Sequence, residues 1–234
     1  MPLYRYVKQV PKAPVKRSII VSFLFMSVGV GILVWTVWPI VSFSLITQEM
    51  LAKTISPVAD SAYAAGRFLA ASAQAADYEN PSTWYPTRPQ KKVTATVNMY
   101  SLTIPKLHIE NAKVIVSGDD LGVSLVHYGG TPLPGQYGNA VVFGHSTLPQ
   151  FYNPTNYKTI FSLVPTLEIG DTVQVKYDNI DYVYKVFDKI VVEPTDLTPL
   201  EQKFDDSYMT LVTCVPPGTY WKRLNVKMRL VKNI

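Results

Sequence analysis

A cysteine, a histidine and an arginine in this chain each stand where a strand meets a loop, and together they make a sufficient kit for acyl transfer. Cys214 is the only cysteine in 234 residues and closes the run Thr210-Leu211-Val212-Thr213-Cys214. The apolar, β-branched stretch from Tyr208 to Thr213 reads as a strand, and Pro216, Pro217 and Gly218 must end it. The thiol therefore stands on a rigid element with a loop beside it. Arg223 follows nine residues later and opens an alternating stretch to Val231 that reads as a second strand. If the two strands pair, the guanidinium lies close to the sulfur. His145 ends a third apolar run, Asn139-Ala140-Val141-Val142-Phe143-Gly144-His145. A thiol of ordinary pKa, about 8.5, is a weak nucleophile at neutral pH, and a nearby cationic His or Arg favours the thiolate. An imidazole can shuttle the proton, and a guanidinium can donate two hydrogen bonds to a developing oxyanion.

Taken singly, each of these residues also has a plain structural reading. A free cysteine is often a small buried hydrophobe, and Arg223 also reads as a solvated edge charge. Of the other two histidines, His108 sits among apolar residues and reads as structural. His127, in Val126-His127-Tyr128-Gly129-Gly130, is open between a structural role and lining the site.

The elements that must position these groups are short and β-branched. From Val93 onward, candidate strands at 98–104, 112–117, 140–144, 172–177, 181–192, 208–213 and 224–231 alternate with Gly, Pro, Asn and Asp. Asp178-Asn179 suits a two-residue hairpin turn. Tyr157, Ile160, Phe161 and Val164 fall at helical spacing and predict a short helix over 155–164. About 140 residues of short strands indicate a closed or nearly closed β-barrel.

The first part of the chain is different. Residues 18–46 contain no charged side chain, a run of 29 against the ~20 needed to cross a bilayer. It is too long for the apolar region of a signal peptide, and Thr47-Gln48-Glu49 is a poor cleavage site. Trp35 and Trp38 fall towards its far end, where an aromatic belt would lie, and Pro39 reads as a kink or an exit. Five of the 22 basic residues, Arg5, Lys8, Lys12, Lys16 and Arg17, precede this run with no acid among them. That places the N-terminus inside and the rest outside. It also accounts for the net charge of +5 as a tail rather than a basic face, so nucleic acid is set aside. A single cysteine excludes an intrachain disulfide framework and a cysteine-based zinc site. The organisation expected is a basic, unstructured cytoplasmic tail (1–17), a transmembrane helix (18–46), an alanine-rich stalk with a proline-containing linker (47–92), and a barrel (93–234).

Together the motifs resemble those of a known family. Thr210-Leu211-Val212-Thr213-Cys214 matches the TLxTC signature of sortases. Cys214-Val215-Pro216-Pro217-Gly218, the nine-residue step and Arg223-Leu224-Asn225-Val226 continue the pattern. Gly129 to Asn139, followed by Gly144-His145-Ser146, looks like the sortase strand that carries the histidine. Leu102-Thr103-Ile104-Pro105-Lys106-Leu107 looks like the first barrel strand and its turn. The resemblance covers roughly 95–234. It implies an eight-stranded β-barrel and a membrane-anchored cysteine transpeptidase of Gram-positive-type cell surfaces. By similarity, Cys214 attacks the Thr–Gly carbonyl of an LPxTG-like sorting signal to form a thioester, His145 moves the proton, and Arg223 holds the substrate backbone and the oxyanion. Thr213 would line the substrate site, with His127 as a second candidate, and residues 193–207 would shape the groove.

The partners implied are surface proteins with C-terminal sorting signals and an amine from a cell-wall precursor or a pilin. Asp119-Asp120 and Asp205-Asp206 read as solvated loop pairs, so neither a metal nor another cofactor is expected. Trp84-Tyr85-Pro86 lacks the acidic-Pro-aromatic signature of the lid that pilin-type relatives carry, which favours the linker. Two rival readings stand beside this one: a membrane-tethered cysteine peptidase that releases to water, and a non-catalytic surface binding barrel.

Overall fold

A computed structural model of the chain describes residues 15–51, 78–93 and 97–231. The chain divides into two compact units, Met1–Trp38 and Pro39–Ile234. One long helix, α1 (Val15–Leu51), holds the uncharged run. Within it, Ile19–Pro39 is long and apolar enough to cross a membrane, and none of it is buried. Phe23, Leu24, Phe25, Met26, Leu33 and Trp38 are all exposed, an apolar surface that water tolerates poorly and hydrocarbon accepts. The Ser27 and Thr36 hydroxyls donate to the carbonyls of Leu24 (2.9 Å) and Ile32 (3.0 Å), so their polar groups are satisfied inside the helix. Pro39 lies within α1 rather than at its end. The helix starts at Val15, inside the stretch expected as an unstructured tail; the rest of that tail, and the stalk over 52–77, lie outside the described residues.

The barrel is built from β1 (Met99–Ile104), β2 (Ile109–Val116), β3 (Leu125–His127), β4 (Gly138–Phe143), β5 (Thr172–Tyr177), β6 (Ile180–Val192), β7 (Ser207–Val215) and β8 (Lys222–Leu230). They close in the order β1-β2-β3-β4-β7-β8-β6-β5. β2–β3 and β4–β7 pair in parallel, and every other pair is antiparallel. The seven sequence-predicted strands are all present, within three residues at each end. β3 is the eighth; at three residues it is too short to show an alternating pattern. The β5–β6 turn at Asp178-Asn179 has φ of 50° and 60°, the left-handed pair that a two-residue hairpin needs. Over 155–164 there is no α-helix, only turns and a 3-10 turn, Val164–Thr166. The Asn153 and Asn156 side chains accept from the Thr155 and Lys158 amides (2.9 and 3.0 Å), local bonds that compete with a helix. Ile160, Phe161 and Val164 still face the core, which accounts for their spacing.

Alternation along β7 explains the layering. Met209, Leu211 and Val215 join the barrel interior with Leu102, Ile104, Val142, Leu224 and Met228. Val212 and Cys214 face the other way, into a second apolar cluster with Val126, Tyr128, Val141, Phe143, Leu200, Trp84 and Tyr85. β7 is thus covered on both faces, and its sequence reads as a near-continuous apolar run for that reason.

His127 is fully buried, with the Tyr100 hydroxyl 2.9 Å from Nδ1 and the Thr131 hydroxyl 3.1 Å from Nε2. Burial lowers its pKa to about 4, partly opposed by a bond to the Thr131 backbone. An unfolded histidine titrates near ~6.5. Between those values the unfolded chain holds more protons, so stability must fall as pH drops from about 6.5 to about 4, by at most roughly 3 kcal/mol from this residue. Urea unfolding of the detergent-solubilised chain, followed by tryptophan fluorescence at pH 7, 5.5 and 4, should show that slope, and His127→Gln should flatten it.

Candidate active site

Arg223 is placed by register. In the β7–β8 pair, Cys214 lies directly opposite Arg223. The connection runs through Pro216-Pro217-Gly218, where Gly218 has φ +84° and the Val215–Pro216 bond is cis. The guanidinium is 2% exposed. Its Nη1 donates to Cys214 Sγ at 3.4 Å and to the carbonyls of Tyr220 (3.2 Å) and Lys222 (3.4 Å). No carboxylate pairs with it among the described residues, and its Nε is buried with no hydrogen-bond partner.

His145 reaches the same end of the barrel from β4. The parallel β4–β7 register runs to Phe143↔Val212, so the next residues of β4 continue beside Thr213 and Cys214. Three bonds hold them there: Gly144 N–H to the Val212 carbonyl (3.2 Å), Thr213 Oγ1 to the Gly144 carbonyl (2.8 Å) and Ser146 Oγ to the Cys214 carbonyl (2.7 Å). A Cβ on Gly144 would lie 2.4 Å from the Phe161 ring, so only glycine lets the chain pass there. The Phe161 amide in turn donates to the His145 carbonyl at 3.0 Å.

Aromatic residues of 78–93 close the site. Trp84 and Tyr85 are 4% and 0% exposed, so this stretch packs onto the barrel where a linker was expected. The Arg223 guanidinium sits 4.5 Å from the Trp84 ring centre, a cation–π contact. The His145 ring lies 6.5 Å from the same indole. Trp84 Nε1 donates to the Tyr78 carbonyl (3.0 Å), and the Tyr78 ring stacks on Tyr220 at 3.9 Å. The Tyr85 hydroxyl is buried without a partner, and burial pushes its pKa far above the usual tyrosine range. A Trp-Tyr pair inside a polar, proline-rich stretch was the sequence signal that this segment is anchored.

Burial sets the protonation state. It raises the Cys214 pKa, against a smaller opposing pull from Arg223. It lowers the His145 pKa, with smaller effects from Glu79, Lys158 and Asp120. Both directions favour a neutral thiol and a neutral imidazole at rest. No hydrogen bond joins the two side chains among the described residues.

The structure thus brings Cys214, His145 and Arg223 to one end of one face. It turns the other two candidates elsewhere. Thr213 alternates with Cys214, points to the opposite side of β7, and serves to tie the β4 end to β7. His127 sits in the row of Val142, which faces the barrel interior. Neither lines the face that carries the thiol. Among the described residues no group of three or more His, Cys, Asp or Glu side chains is placed to hold a metal. Asp120 accepts from the Gly122 amide (2.7 Å), and Asp205 and Asp206 pair with Lys203 and Arg229.

Residues 102–231 match the family model described as Sortase domain. Among solved structures, the chain is similar to sortase C1 from Streptococcus agalactiae at 31% identity and a TM-score of 0.51, over 61% of this chain and 72% of that one. It is similar to sortase C-1 from Actinomyces oris at 27% identity and a TM-score of 0.50, over 57% and 73%. A Clostridium perfringens sortase D5 transpeptidase shares the fold at 24% identity and a TM-score of 0.50, over 60% and 83%. No curated protein matches the chain.

Cys214 is 1% exposed, so its alkylation must wait on the aromatic cover. Trp84→Ala should speed iodoacetamide labelling at pH 7 by about tenfold or more and shift the labelling rate–pH curve to lower pH, because relieving burial lowers a thiol pKa. Intact-mass kinetics on both proteins measure it; equal rates would mean that Trp84 does not close the site.

Proposed function

The chain belongs to the sortase family, and from that premise we propose that it is a membrane-tethered cysteine transpeptidase acting through Cys214, His145 and Arg223. The observation that carries the reading is the buried guanidinium held 3.4 Å from the sole thiol, with no carboxylate paired to it among the described residues. Such a cation in a water-poor site favours negative charge on sulfur and on a carbonyl oxygen beside it. Its unpartnered Nε–H is a donor still available to that oxygen.

In this mechanism the Cys214 thiol gives its proton to the neutral His145 imidazole as sulfur attacks the carbonyl carbon. The carbonyl electrons move to oxygen, where Arg223 donates to them. Collapse breaks the C–N bond, and the leaving amine takes the proton from His145. The resulting thioester is attacked by a second amine, which gives a proton to His145. The Cys214 thiolate leaves and recovers that proton, so the cycle closes with no net change in the enzyme. A substrate can reach the thiol only if Trp84 and Tyr85 give way. The acyl donor in this reading is an LPxTG-like sorting signal cut between Thr and Gly, and the acceptor is an amine of a cell-wall precursor or a pilin. α1 anchors the chain with its basic N-terminus inside and the barrel outside, where such partners lie. The loop over 193–206 flanks the groove.

Incubating the detergent-solubilised chain with an LPxTG-type peptide and triglycine, and following products and protein mass, tests this. A ligated product and a thioester adduct are expected, both absent in Cys214→Ala. Arg223→Ala should lower kcat/KM by about 10²–10³, the cost of one oxyanion donor, and His145→Ala by about 10²–10⁴. Hydrolysis that added amine leaves unchanged would favour the peptidase reading, and an inert thiol across varied peptides would favour a binding barrel.

A further inference from the structure

The barrel is closed, so it offers no free strand edge to which a peptide could add. A peptide on its outer wall must have its main-chain groups met by side chains rising from that wall. On the face that carries Cys214, β8 supplies one row of such side chains. Pairing sets them in rows: Cys214 beside Arg223, Val212 beside Asn225, Thr210 beside Lys227. Alternate residues of a strand are about 6.7 Å apart, which is also the two-residue repeat of an extended peptide. β8 thus presents polar groups at the period of an extended main chain.

The middle rung is anomalous. Asn225 is 0% exposed, and both its side-chain oxygen and nitrogen are buried with no hydrogen-bond partner. An orphaned buried amide is destabilising and uncommon. Its neighbours on that face are apolar: Val212 across the pair, then Phe143, with Leu197 and Leu200 of the β6–β7 loop packed on the same cluster. One row further from the thiol the face opens into a cleft of about 620 Å³, bordered by Thr210, Lys227, Asp188 and Gln202. A carboxamide offers a donor and an acceptor side by side, the complement of one peptide group.

We propose that Asn225 is a substrate-binding residue that hydrogen-bonds the main chain of the acyl-donor peptide, which lies extended along β7 from Cys214 across Val212 into the cleft at Thr210 and Lys227. This deepens the transpeptidase reading and rests on it. The β6–β7 loop lifts as the peptide enters, and the carboxamide gains both partners it lacks at rest.

The test uses the full chain in detergent with an LPxTG-type peptide and triglycine, comparing wild type with Asn225→Leu. The leucine keeps the volume and removes both polar atoms. KM should rise about tenfold with kcat changed little, and labelling of Cys214 by iodoacetamide should be unaltered. Because the change removes an orphan, the melting temperature should rise by about 2–4 °C. Ester bonds scanned through the donor peptide should lower wild-type kcat/KM at one position and leave Asn225→Leu indifferent there. A variant with wild-type KM, a lowered melting temperature, or ester effects equal in both proteins at every position overturns the proposal. Loss in the variant while wild type turns over leaves the parent reading intact; a wild type that never forms an adduct sinks both.

Discussion

A guanidinium buried to 2% exposure, with no carboxylate paired to it among the described residues, is the constraint on which the site depends. An unpaired charge taken out of water is expensive unless its donors are met. Here Nη1 is shared among a sulfur and two carbonyls of its own hairpin, and the flat face lies near Trp84. Those partners carry no net charge. They hold the cation in place and leave its field uncancelled, so it acts on whatever negative charge forms next to Cys214. A paired carboxylate would have made Arg223 more comfortable and less useful. The cross-strand register of Cys214 and Arg223, set by a proline- and glycine-bearing hairpin, is what keeps the two groups together.

The closed barrel supplies the rigidity. β7 lies between β4 and β8, with side chains buried on both faces. The end that carries Cys214 is stitched to the end of β4 by Thr213 and Ser146. Gly144 lets Phe161 press against the strand where it turns into His145. Thus the nucleophile and the base of the proposed reaction ride on neighbouring parallel strands, and the cation rides on the third. Their spacing follows from the sheet, and loop motion alters access to them more than their mutual geometry.

Much of this was legible in the sequence because the signals were periodic. The strands, the Asp178-Asn179 turn and the proximity of Cys214 to Arg223 follow from alternation and from the prolines and glycines that end it. β3 escaped because three residues carry no period. The helix expected over 155–164 failed because the asparagine side chains there bond locally, while the same apolar spacing serves turns that face the core. Thr213 and His127 looked like site residues because they adjoin motifs in sequence. In a strand, adjacency places a side chain on the opposite face, and that is where both lie. The Trp84-Tyr85 pair was a local sign that its segment packs on the barrel, but where it packs, and that Asn225 is left without partners, depend on which segments meet across the wall, which no local pattern encodes.

Three buried polar groups of this region lack partners at rest: the Tyr85 hydroxyl, the Arg223 Nε–H and the Asn225 carboxamide. The aromatic cover shields apolar surface well, since Trp84 packs edge-on to Phe143 at 5.3 Å and Tyr85 does so at 5.9 Å. It does not satisfy the hydrogen bonds beneath. Each unmet group costs about 1–3 kcal/mol. A polypeptide entering the groove offers both apolar side chains and main-chain donors and acceptors. It can therefore replace the contacts of the cover and also meet the groups the cover leaves unmet. In the proposed reaction, the resting state, with a neutral thiol and a neutral imidazole near the indole, yields to an extended chain. On this account, selectivity and activation are one event, because the ligand that displaces the cover is also the one that brings the carbonyl to the thiol.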